Sequence, residues 1–275
     1  MTALRLVHLS DLHFGVHCDL AQVDALARGL PALAPSAIVI SGDLSQRARH
    51  GELQHALRFV RQLERDCGVP ALVVPGNHDV EWWASPFSLR GTRIKHVRWR
   101  RWFGEELSPT LDVPGARLVG VQTSHGVHWK SMTPNLNDMA VKGHLEAAEV
   151  ARAAAAFAAA PAGALRVMVM HQNLLRGEIS QRMGLARPAV AQARVVAAGT
   201  DLVLCGHDHQ EGAGALGPVV VATSSTHSNR TRGHRPSAFN VVDADAATIR
   251  VTHQYWDAAA GLFRPGTPAV FPRRT

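Results

Sequence analysis

The sequence predicts an α/β fold, and three observations carry this prediction. First, short apolar strands end in polar turns, most of which contain glycine. Second, the segments between these strands place apolar residues at three- and four-residue spacing, which is typical of a helix with one buried face. Third, 46% of the 275 residues are apolar and 19% are charged, which is enough material for a buried core. Together they indicate parallel strands joined by helical crossovers.

The alternation is clearest in the first part of the chain. Strands are predicted at Leu4–Leu9, Ala37–Ile40 and 71–74, and helices at 20–33 and 50–66 lie between them. The segment Ala37–Ile40 is wholly apolar, so we expect a buried strand there.

The rest of the chain is less regular but follows the same rhythm. Three further strands and two further helices are predicted, at 117–121, 165–170 and 201–205 and at 143–160 and 187–198. From about residue 217 the pattern is rich in strands, so the sheet is expected to turn antiparallel there. The segment from residue 265 is rich in proline and arginine and is expected to form a loose tail. Because no repeat or change in composition divides the chain, we predict one domain over residues 1–275.

Composition excludes several classes of protein. No run of about 18 apolar residues occurs, so no membrane-spanning helix is expected. The three cysteines, Cys18, Cys67 and Cys205, form no CxxC pair, which argues against a disulfide scaffold or a cysteine zinc site and favours a cytoplasmic setting. The net charge of +7, from 29 basic and 22 acidic residues, permits an anionic substrate without requiring nucleic acid.

Side chains that commonly bind metals follow five of the predicted strands. In chain order they are Asp11, His13, Asp43, Asn77, His171, His207 and His209. Because ligands bind at the carboxyl ends of the strands in open α/β sheets, we expect these side chains to meet at one edge. Seven ligands are too many for one ion and fit two, with one carboxylate shared. Oxygen and imidazole ligands without thiolate favour manganese, iron, zinc or cobalt over calcium.

A pair of metal ions at this edge would suit the hydrolysis of phosphate esters. Two ions about 3.5–4 Å apart can hold a hydroxide between them and clamp the non-bridging oxygens of a phosphate. Water bound to such ions is acidic near neutral pH, so no serine or cysteine nucleophile is needed.

The motifs at these strand ends resemble those of the calcineurin-like metallophosphoesterase superfamily. DLH, GDL, GNHD, H and GHDH occur in that order between Leu6 and His209. LSDLHFG, SGDLSQRA, VPGNHDV, SSTHSNRTRG and SAFNVV further resemble the bacterial branch of phosphohydrolases that are similar to cyclic-nucleotide phosphodiesterases. The resemblance implies a four-layer α/β/β/α sandwich of two mixed sheets flanked by helices.

The resemblance also implies a role for each matching residue. One metal would be bound by Asp11, His13, Asp43 and His209, and the other by Asp43, Asn77, His171 and His207, with Asp43 bridging them. His78 would face the leaving-group oxygen or the phosphoryl oxygen, as general acid or as electrostatic stabiliser. The alternative for His78 is a purely structural histidine.

Two positions depart from the family pattern. Gln46 stands where the protein-phosphatase branch has an acidic residue that orients the non-ligand histidine, so Asp79 or a backbone carbonyl must orient His78, or the imidazole is less basic. The fourth motif offers a single histidine, His171, between Met170 and Gln172, where the family often has a pair.

Several other residues admit two interpretations. Asp208 is expected to face away from the metals and to be structural. The segment 90–102 interleaves basic residues with Trp99 and Trp102; we favour an amphipathic helix that caps the site over a surface on which bases stack. Contact with the substrate is a minority interpretation for a further set, namely His125, His128, His227, Asn229 and Arg230.

The leading functional hypothesis is a dinuclear-metal phosphoesterase that hydrolyses a small phosphodiester, with cyclic nucleotides as one candidate. The alternatives are a DNA-processing nuclease of the repair-exonuclease branch, a phosphomonoesterase, and a catalytically dead scaffold that binds a protein. All seven ligand positions are filled, which disfavours the scaffold. Binding of nucleic acid and formation of a homo-oligomer are left open.

Overall fold

The computed structural model describes residues 4–82, 84, 93–133, 138 and 141–274. The strands within these residues are β1 (Leu4–Leu9), β2 (Ala37–Ile40), β3 (Ala71–Val73), β4 (Thr110–Val113), β5 (Ala116–Gly120), β6 (Leu165–Val169), β7 (Leu202–Cys205), β8 (Gly212–Leu216), β9 (Val219–Thr223), β10 (Ala238–Ala244), β11 (Thr248–Asp257), β12 (Leu262–Pro265) and β13 (Ala269–Pro272). The α-helices are α1 (Leu20–Gly29), α2 (His50–Cys67), α3 (Val97–Phe103), α4 (Ala147–Ala158) and α5 (Pro188–Ala197). Short 3₁₀ turns occupy Leu30–Leu33, Arg93–His96 and Trp129–Ser131.

The strands form two mixed sheets. The first has the order β12-β11-β10-β1-β2-β3, with β13 also paired with β11, and the second has the order β4-β5-β6-β7-β9-β8. The strands β1, β2 and β3 are parallel, as are β5, β6, β7 and β9, and the remaining pairs are antiparallel. The carboxyl ends of the parallel strands therefore lie together within each sheet.

The two sheets pack face to face through alternate residues of their strands. Leu6 and Val39 of the first sheet meet Val167 and Leu204 of the second in one fully buried apolar cluster. Because side chains alternate along a strand, the intervening residues face the opposite side of each sheet. Each central strand therefore contributes to two apolar layers.

Helices cover both outer faces. Leu26 of α1 and Leu53 of α2 pack with the outward-facing residues of β1 and β2. Phe157 of α4 and Val195 of α5 pack on the outer face of the second sheet in the same way. The order of layers confirms the α/β/β/α sandwich of two mixed sheets. No helix among the described residues is both long and apolar enough to cross a lipid bilayer.

The helix α2 also supports the loop that follows β2. Glu52, in its first turn, accepts hydrogen bonds from the backbone N–H groups of Arg47 at 2.8 Å and Arg49 at 3.3 Å. Such a cap contributes about 1 kcal/mol to stability. Since Arg47 lies in the loop that carries Asp43, the start of α2 fixes part of the predicted metal-binding loop.

The carboxyl-terminal segment corrects one expectation. Instead of a loose tail, β13 pairs with β11 in antiparallel register, and Phe271 packs against the core between the sheets. Pro272 lies at the last position of an edge strand, where the missing N–H weakens the sheet little. The proline and arginine content of the segment from residue 265 therefore gave no indication of the edge strand β13.

Three buried histidines outside the predicted centre resist protonation. Burial lowers the pKa of His8 to about 3 and the pKa values of His144 and His227 to about 4. His227 packs against Phe239 and Phe263, and neither of its ring nitrogens has a hydrogen-bond partner among the described residues.

The substitution His227→Leu is therefore expected to gain stability, relative to the parent protein, as the pH falls. The unfolded parent takes up a proton near pH 6.5, whereas the folded imidazole stays neutral down to about pH 4. The contribution of His227 to the free energy of unfolding is fully present above the pKa that this histidine has in the unfolded chain. It is lost as the pH falls below that value. The difference in unfolding free energy between the variant and the parent should change by up to about 1.4 kcal/mol per pH unit between these two pKa values. Urea unfolding of both chelator-treated proteins between about pH 7.5 and pH 5 measures it; a difference independent of pH would contradict the prediction.

Candidate metal centre

The seven predicted ligand residues meet at one rim of the two sheets. Four follow β1, β2 and β3 of the first sheet, and three follow β6 and β7 of the second. All are buried except for the partly buried His207. They are Asp11, His13, Asp43 and Asn77 from the first sheet and His171, His207 and His209 from the second.

Four of these residues form one group of potential metal ligands. The ligand atoms of Asp11, His13, Asp43 and His209 all lie within 4.8 Å of one another. The Nε2 atoms of His13 and His209 are 3.0 Å apart, and His209 Nε2 is 3.2 Å from Asp11 Oδ1. His13 Nε2 is 3.8 Å from Asp43 Oδ2. These residues could hold one cation.

The other three residues form a second group beside Asp43. The Oδ1 atom of Asn77 lies 3.0 Å from His171 Nε2 and 2.9 Å from His207 Nδ1. These two histidine nitrogens are 3.2 Å apart. Asp43 Oδ2 is 3.3 Å from His171 Nε2, so this one carboxylate oxygen faces both groups.

The donor set fits a pair of metal ions. Ligands about 2.1 Å from a common ion and at right angles to one another are about 3 Å apart, which matches the distances between these nitrogens and oxygens. The fully buried Asp11 Oδ1 has no hydrogen-bond partner among the described residues, and a cation would satisfy it.

Backbone carbonyls orient two of the imidazoles. His171 Nδ1 lies 2.8 Å from the carbonyl of Ser41, and His209 Nδ1 lies 2.8 Å from the carbonyl of Arg230. A proton on each Nδ1 would be donated to these oxygens, which leaves the Nε2 lone pairs facing the centre. This arrangement is typical of histidines that bind metals.

Burial and opposite charge act against each other at Asp43 and His171. Burial raises the pKa of Asp43, but the neighbouring imidazoles of His171, His78 and His13 together outweigh it and lower this pKa well below its usual range. Burial lowers the pKa of His171, yet the carboxylates of Asp43 and Asp11 and the Ser41 carbonyl together outweigh it and raise this pKa to about 9. A metal ion must displace that proton, so we expect binding to weaken as the pH falls.

Five of the seven residues adopt a backbone conformation that non-glycine residues rarely occupy. Their φ angles are positive: 53° at Asp11, 48° at His13, 52° at Asp43, 74° at His207 and 56° at His209. Such a conformation costs about 1–2 kcal/mol per residue. Strain of this kind clusters at functional sites, where the surrounding structure holds it in place.

Gly76 allows the loops after β2 and β3 to approach each other closely. A Cβ atom at this position would lie 2.1 Å from Asp43 Oδ1. We therefore expect Gly76→Ala to displace the carboxylate and to weaken Mn²⁺ binding by about 10-fold or more, as measured by isothermal titration calorimetry. Gly51→Ala in α2 is the matched control, because its Cβ would meet no atom within 4 Å. Equal Mn²⁺ affinity in the two variants would contradict this prediction.

A backbone carbonyl orients His78. Its Nδ1 lies 2.8 Å from the carbonyl of Gln46, and its backbone N–H donates to Asp43 Oδ1 at 2.8 Å. Asp79 does not take this role, because its carboxylate accepts from the backbone N–H groups of Leu44, Ser45 and Gly76. Asp79 thus shapes the loops, and Gln46 replaces the acidic residue through its main chain.

A cavity of about 1000 Å³ lies beside His78. Its lining includes residues that no sequence motif marks, since basic and aromatic side chains on loops carry no spacing signal. Within the described part of the chain, the lining residues are His17, Gln46, Arg47, His78, Val80, Glu81, Trp82, Ala84, Arg98 and Arg230. A second cavity, of about 910 Å³, includes Leu4 and Pro114 in its lining and none of the predicted site residues.

The described part of segment 90–102 forms a 3₁₀ turn followed by α3, and residues 90–92 lie outside the described residues. Trp99 is 1% exposed and stacks on Phe103 with a centroid distance of 4.2 Å. Trp102 donates to His50 Nδ1 at 3.1 Å. The burial of Trp99 favours the amphipathic helix over a surface on which bases stack.

The remaining candidates lie in different surroundings. His125 is buried and stacks with His144, and His227 is buried against phenylalanines. Asp208 accepts from the Ser180 hydroxyl at 2.7 Å, in keeping with a structural role. Of the set for which substrate contact was considered, Arg230 lines the cavity.

Several solved structures share this fold at low sequence identity. A purple acid phosphatase from yellow lupin (Lupinus luteus) superposes with a TM-score of 0.67 at 14% identity, over 98% of this chain and 54% of the lupin chain. This chain thus spans about half the length of the lupin enzyme. A dimetal phosphatase from Danio rerio gives a TM-score of 0.65 at 13% identity, over 98% of this chain and 99% of the other.

A third similar structure is GAP50, described as the anchor in the inner membrane complex of Plasmodium. Its TM-score is 0.63 at 12% identity, over 99% of this chain and 90% of that protein. No curated protein matches the sequence. The sequence profile of the calcineurin-like phosphoesterases, however, matches residues 4–211, which include all seven predicted ligands. The chain belongs to the calcineurin-like phosphoesterase family.

Proposed function

We propose that this chain is a two-metal phosphodiesterase that hydrolyses small phosphodiesters, with cyclic nucleotides among the candidates. The observation that carries the proposal is the convergence of two donor groups on Asp43 Oδ2, beside a cavity lined by His78. Membership of the phosphoesterase family supports the reaction class. The bacterial branch that is similar to cyclic-nucleotide phosphodiesterases is proposed from the motifs of the sequence.

The ligands proposed for the two ions follow the two groups. Asp11, His13 and His209 would hold one ion, Asn77, His171 and His207 would hold the other, and Asp43 would be shared. When bound, the ions supply an acidic water as nucleophile and offset the negative charge of the phosphate. The nitrogen and oxygen donors suit manganese, iron or zinc.

His78 is proposed to act on the leaving group. Its Nδ1 is engaged by the Gln46 carbonyl, so Nε2 is the nitrogen that remains for proton exchange with a substrate in the cavity. The hydrogen bond from its backbone N–H to Asp43 Oδ1 holds the main chain of His78 beside this proposed ligand. A proton delivered from Nε2 would allow an alkoxide to depart as an alcohol.

The other candidate functions have less support. A nuclease that stacks bases on segment 90–102 is disfavoured by the burial of Trp99. A dead scaffold is disfavoured because the donor atoms are intact and mutually close. We also propose a cytoplasmic location, which the unpaired thiols of Cys18, Cys67 and Cys205 support.

A substrate panel on protein reconstituted with Mn²⁺ tests the proposal. The panel contains cyclic nucleotides, nucleotide monophosphates, diester lipids, a bis-aryl phosphate and single-stranded DNA. We expect turnover of the small diesters, and loss of that turnover with EDTA. Preference for monophosphates would identify a phosphomonoesterase, preference for DNA a nuclease, and absence of both metal binding and turnover a scaffold; each of these results would overturn the proposal.

A further inference from the structure

The cavity beside His78 carries more positive charge than one phosphodiester requires. Arg47 and Arg230 both line it, both are exposed, and neither forms an ion pair among the described residues. Among the described residues of the lining there is one more arginine, Arg98, and it is paired with Glu81 at 3.0 Å. Two guanidinium groups are therefore left to meet a ligand.

The scissile phosphate does not account for these two charges. It would bind at the ligand rim, where two divalent ions exceed the negative charge of the Asp11 and Asp43 carboxylates. Arg47 and Arg230 instead line the cavity beside His78, and neither is among the potential metal ligands. Arginine forms paired, charge-assisted hydrogen bonds with phosphate, so a second anionic group of that kind would satisfy them.

An indole group lies in the same cavity. Trp82 contacts His78 edge-on with a centroid distance of 5.7 Å, and its Nε1 donates to the backbone carbonyl of Asn77. The ring is thus held beside the catalytic centre and partly exposed to the cavity. A fixed indole is a favourable surface for the stacking of a nucleobase.

We propose that the substrate is a nucleotide phosphodiester that carries a second phosphate group, with its base against Trp82 and its second phosphate between Arg47 and Arg230. This inference rests on the proposed phosphodiesterase function and narrows its substrate class. The cavity, of about 1000 Å³, has the size of pockets for small ligands, which favours a small nucleotide over a long strand. A cyclic mononucleotide, with its single phosphate, would leave the two arginines unused.

Binding to chelator-treated protein tests the inference independently of turnover. Isothermal titration calorimetry compares adenosine 3′,5′-bisphosphate with adenosine 5′-monophosphate. We expect the bisphosphate to bind about 10-fold more tightly or better, and Arg47→Ala or Arg230→Ala to reduce that ratio by about 10-fold. The Arg230 substitution retains the carbonyl that accepts from His209. Arg250→Ala, on an exposed position of β11, is the control.

Trp82→Leu separates recognition of the base from recognition of charge. We expect it to weaken binding of the bisphosphate by about 10-fold and to leave binding of inorganic pyrophosphate unchanged. Equal affinity for the two adenosine nucleotides in the parent protein, or an unchanged ratio in both arginine variants, would overturn the inference. Affinity that keeps rising from dinucleotides to dodecanucleotides would also overturn it, in favour of a nucleic-acid strand.

A kinetic arm distinguishes failure of this inference from failure of the proposed function. Its substrates are thymidine 5′-(p-nitrophenyl phosphate) with and without a 3′-phosphate, tested with Mn²⁺. We expect the 3′-phosphate to raise kcat/KM by about 10-fold, and this advantage to fall in the arginine variants. Turnover of both substrates without a preference refutes the inference alone. Turnover of neither substrate, nor of any ester in the panel, refutes the phosphodiesterase proposal, while calorimetry still decides whether the cavity binds a bisphosphorylated nucleotide.

Discussion

Asp43→Asn is expected to abolish hydrolysis and to reduce the number of tightly bound Mn²⁺ ions from two to at most one. The carboxylate is buried, its Oδ2 faces both groups of ligand nitrogens, and its Oδ1 accepts from the His78 backbone. Asparagine removes the shared negative charge and places an amide N–H group against one of these partners. Because metal ions contribute several kcal/mol to such reactions, the rate is expected to fall by about 10³-fold or more.

Two measurements check this expectation. Metal content after dialysis gives the number of ions, and turnover of bis(p-nitrophenyl) phosphate gives kcat. Asp112→Asn is a suitable control, because Asp112 pairs with Arg117 at a half-exposed position on β4. Circular dichroism should show that both variants retain the fold. Two bound ions and an undiminished kcat in Asp43→Asn would refute the shared-ligand role.

His78→Ala is expected to reduce turnover by an amount that depends on the leaving group. General acid catalysis contributes about 10²–10⁴-fold for poor leaving groups. A p-nitrophenolate group departs without a proton, so its esters should lose much less. If His78 acts instead as an electrostatic stabiliser, the loss should be similar for all leaving groups.

The dependence of kcat on leaving-group pKa, measured with a series of aryl and alkyl esters, distinguishes these roles. His50→Ala serves as a control, since it removes an exposed imidazole at the start of α2. Equal rates for His78→Ala and the parent protein on alkyl esters would leave His78 with a structural role only.

The fold is largely predictable from sequence because its central strands are short, wholly apolar and sharply ended. The predicted bounds of Leu4–Leu9 and Ala37–Ile40 match β1 and β2. The strand β8, Gly212–Leu216, has only glycine, alanine and one leucine, so its side chains give no alternating pattern. The edge strands β4 and β13 are equally weak signals, because their partners rather than their own side chains define them.

The sequence predicts which residues come together at the candidate site, but it does not predict their backbone conformation or their hydrogen-bond partners. Each of the seven residues stands just after a strand, and the order of strands brings them together. The left-handed backbone at His207 and His209 leaves no trace in local propensity, because tertiary contacts impose it. The acceptors provided by Gln46 and Arg230 are main-chain carbonyls, which every residue type possesses. The assignment of ligands to ions stays a prediction.

The ligand rim is formed by loops of both sheets. Ions bound there would therefore also link one sheet to the other. Asp43 follows a strand of one sheet and His171 follows a strand of the other. Asp43 Oδ2 and His171 Nε2 are 3.3 Å apart. A shift of one sheet relative to the other would separate these atoms. Cation binding would therefore stabilise the relative position of the two sheets, and that position would in turn favour cation binding. At a free ion concentration 100 times the Kd, this linkage amounts to about 2.7 kcal/mol of added resistance to unfolding.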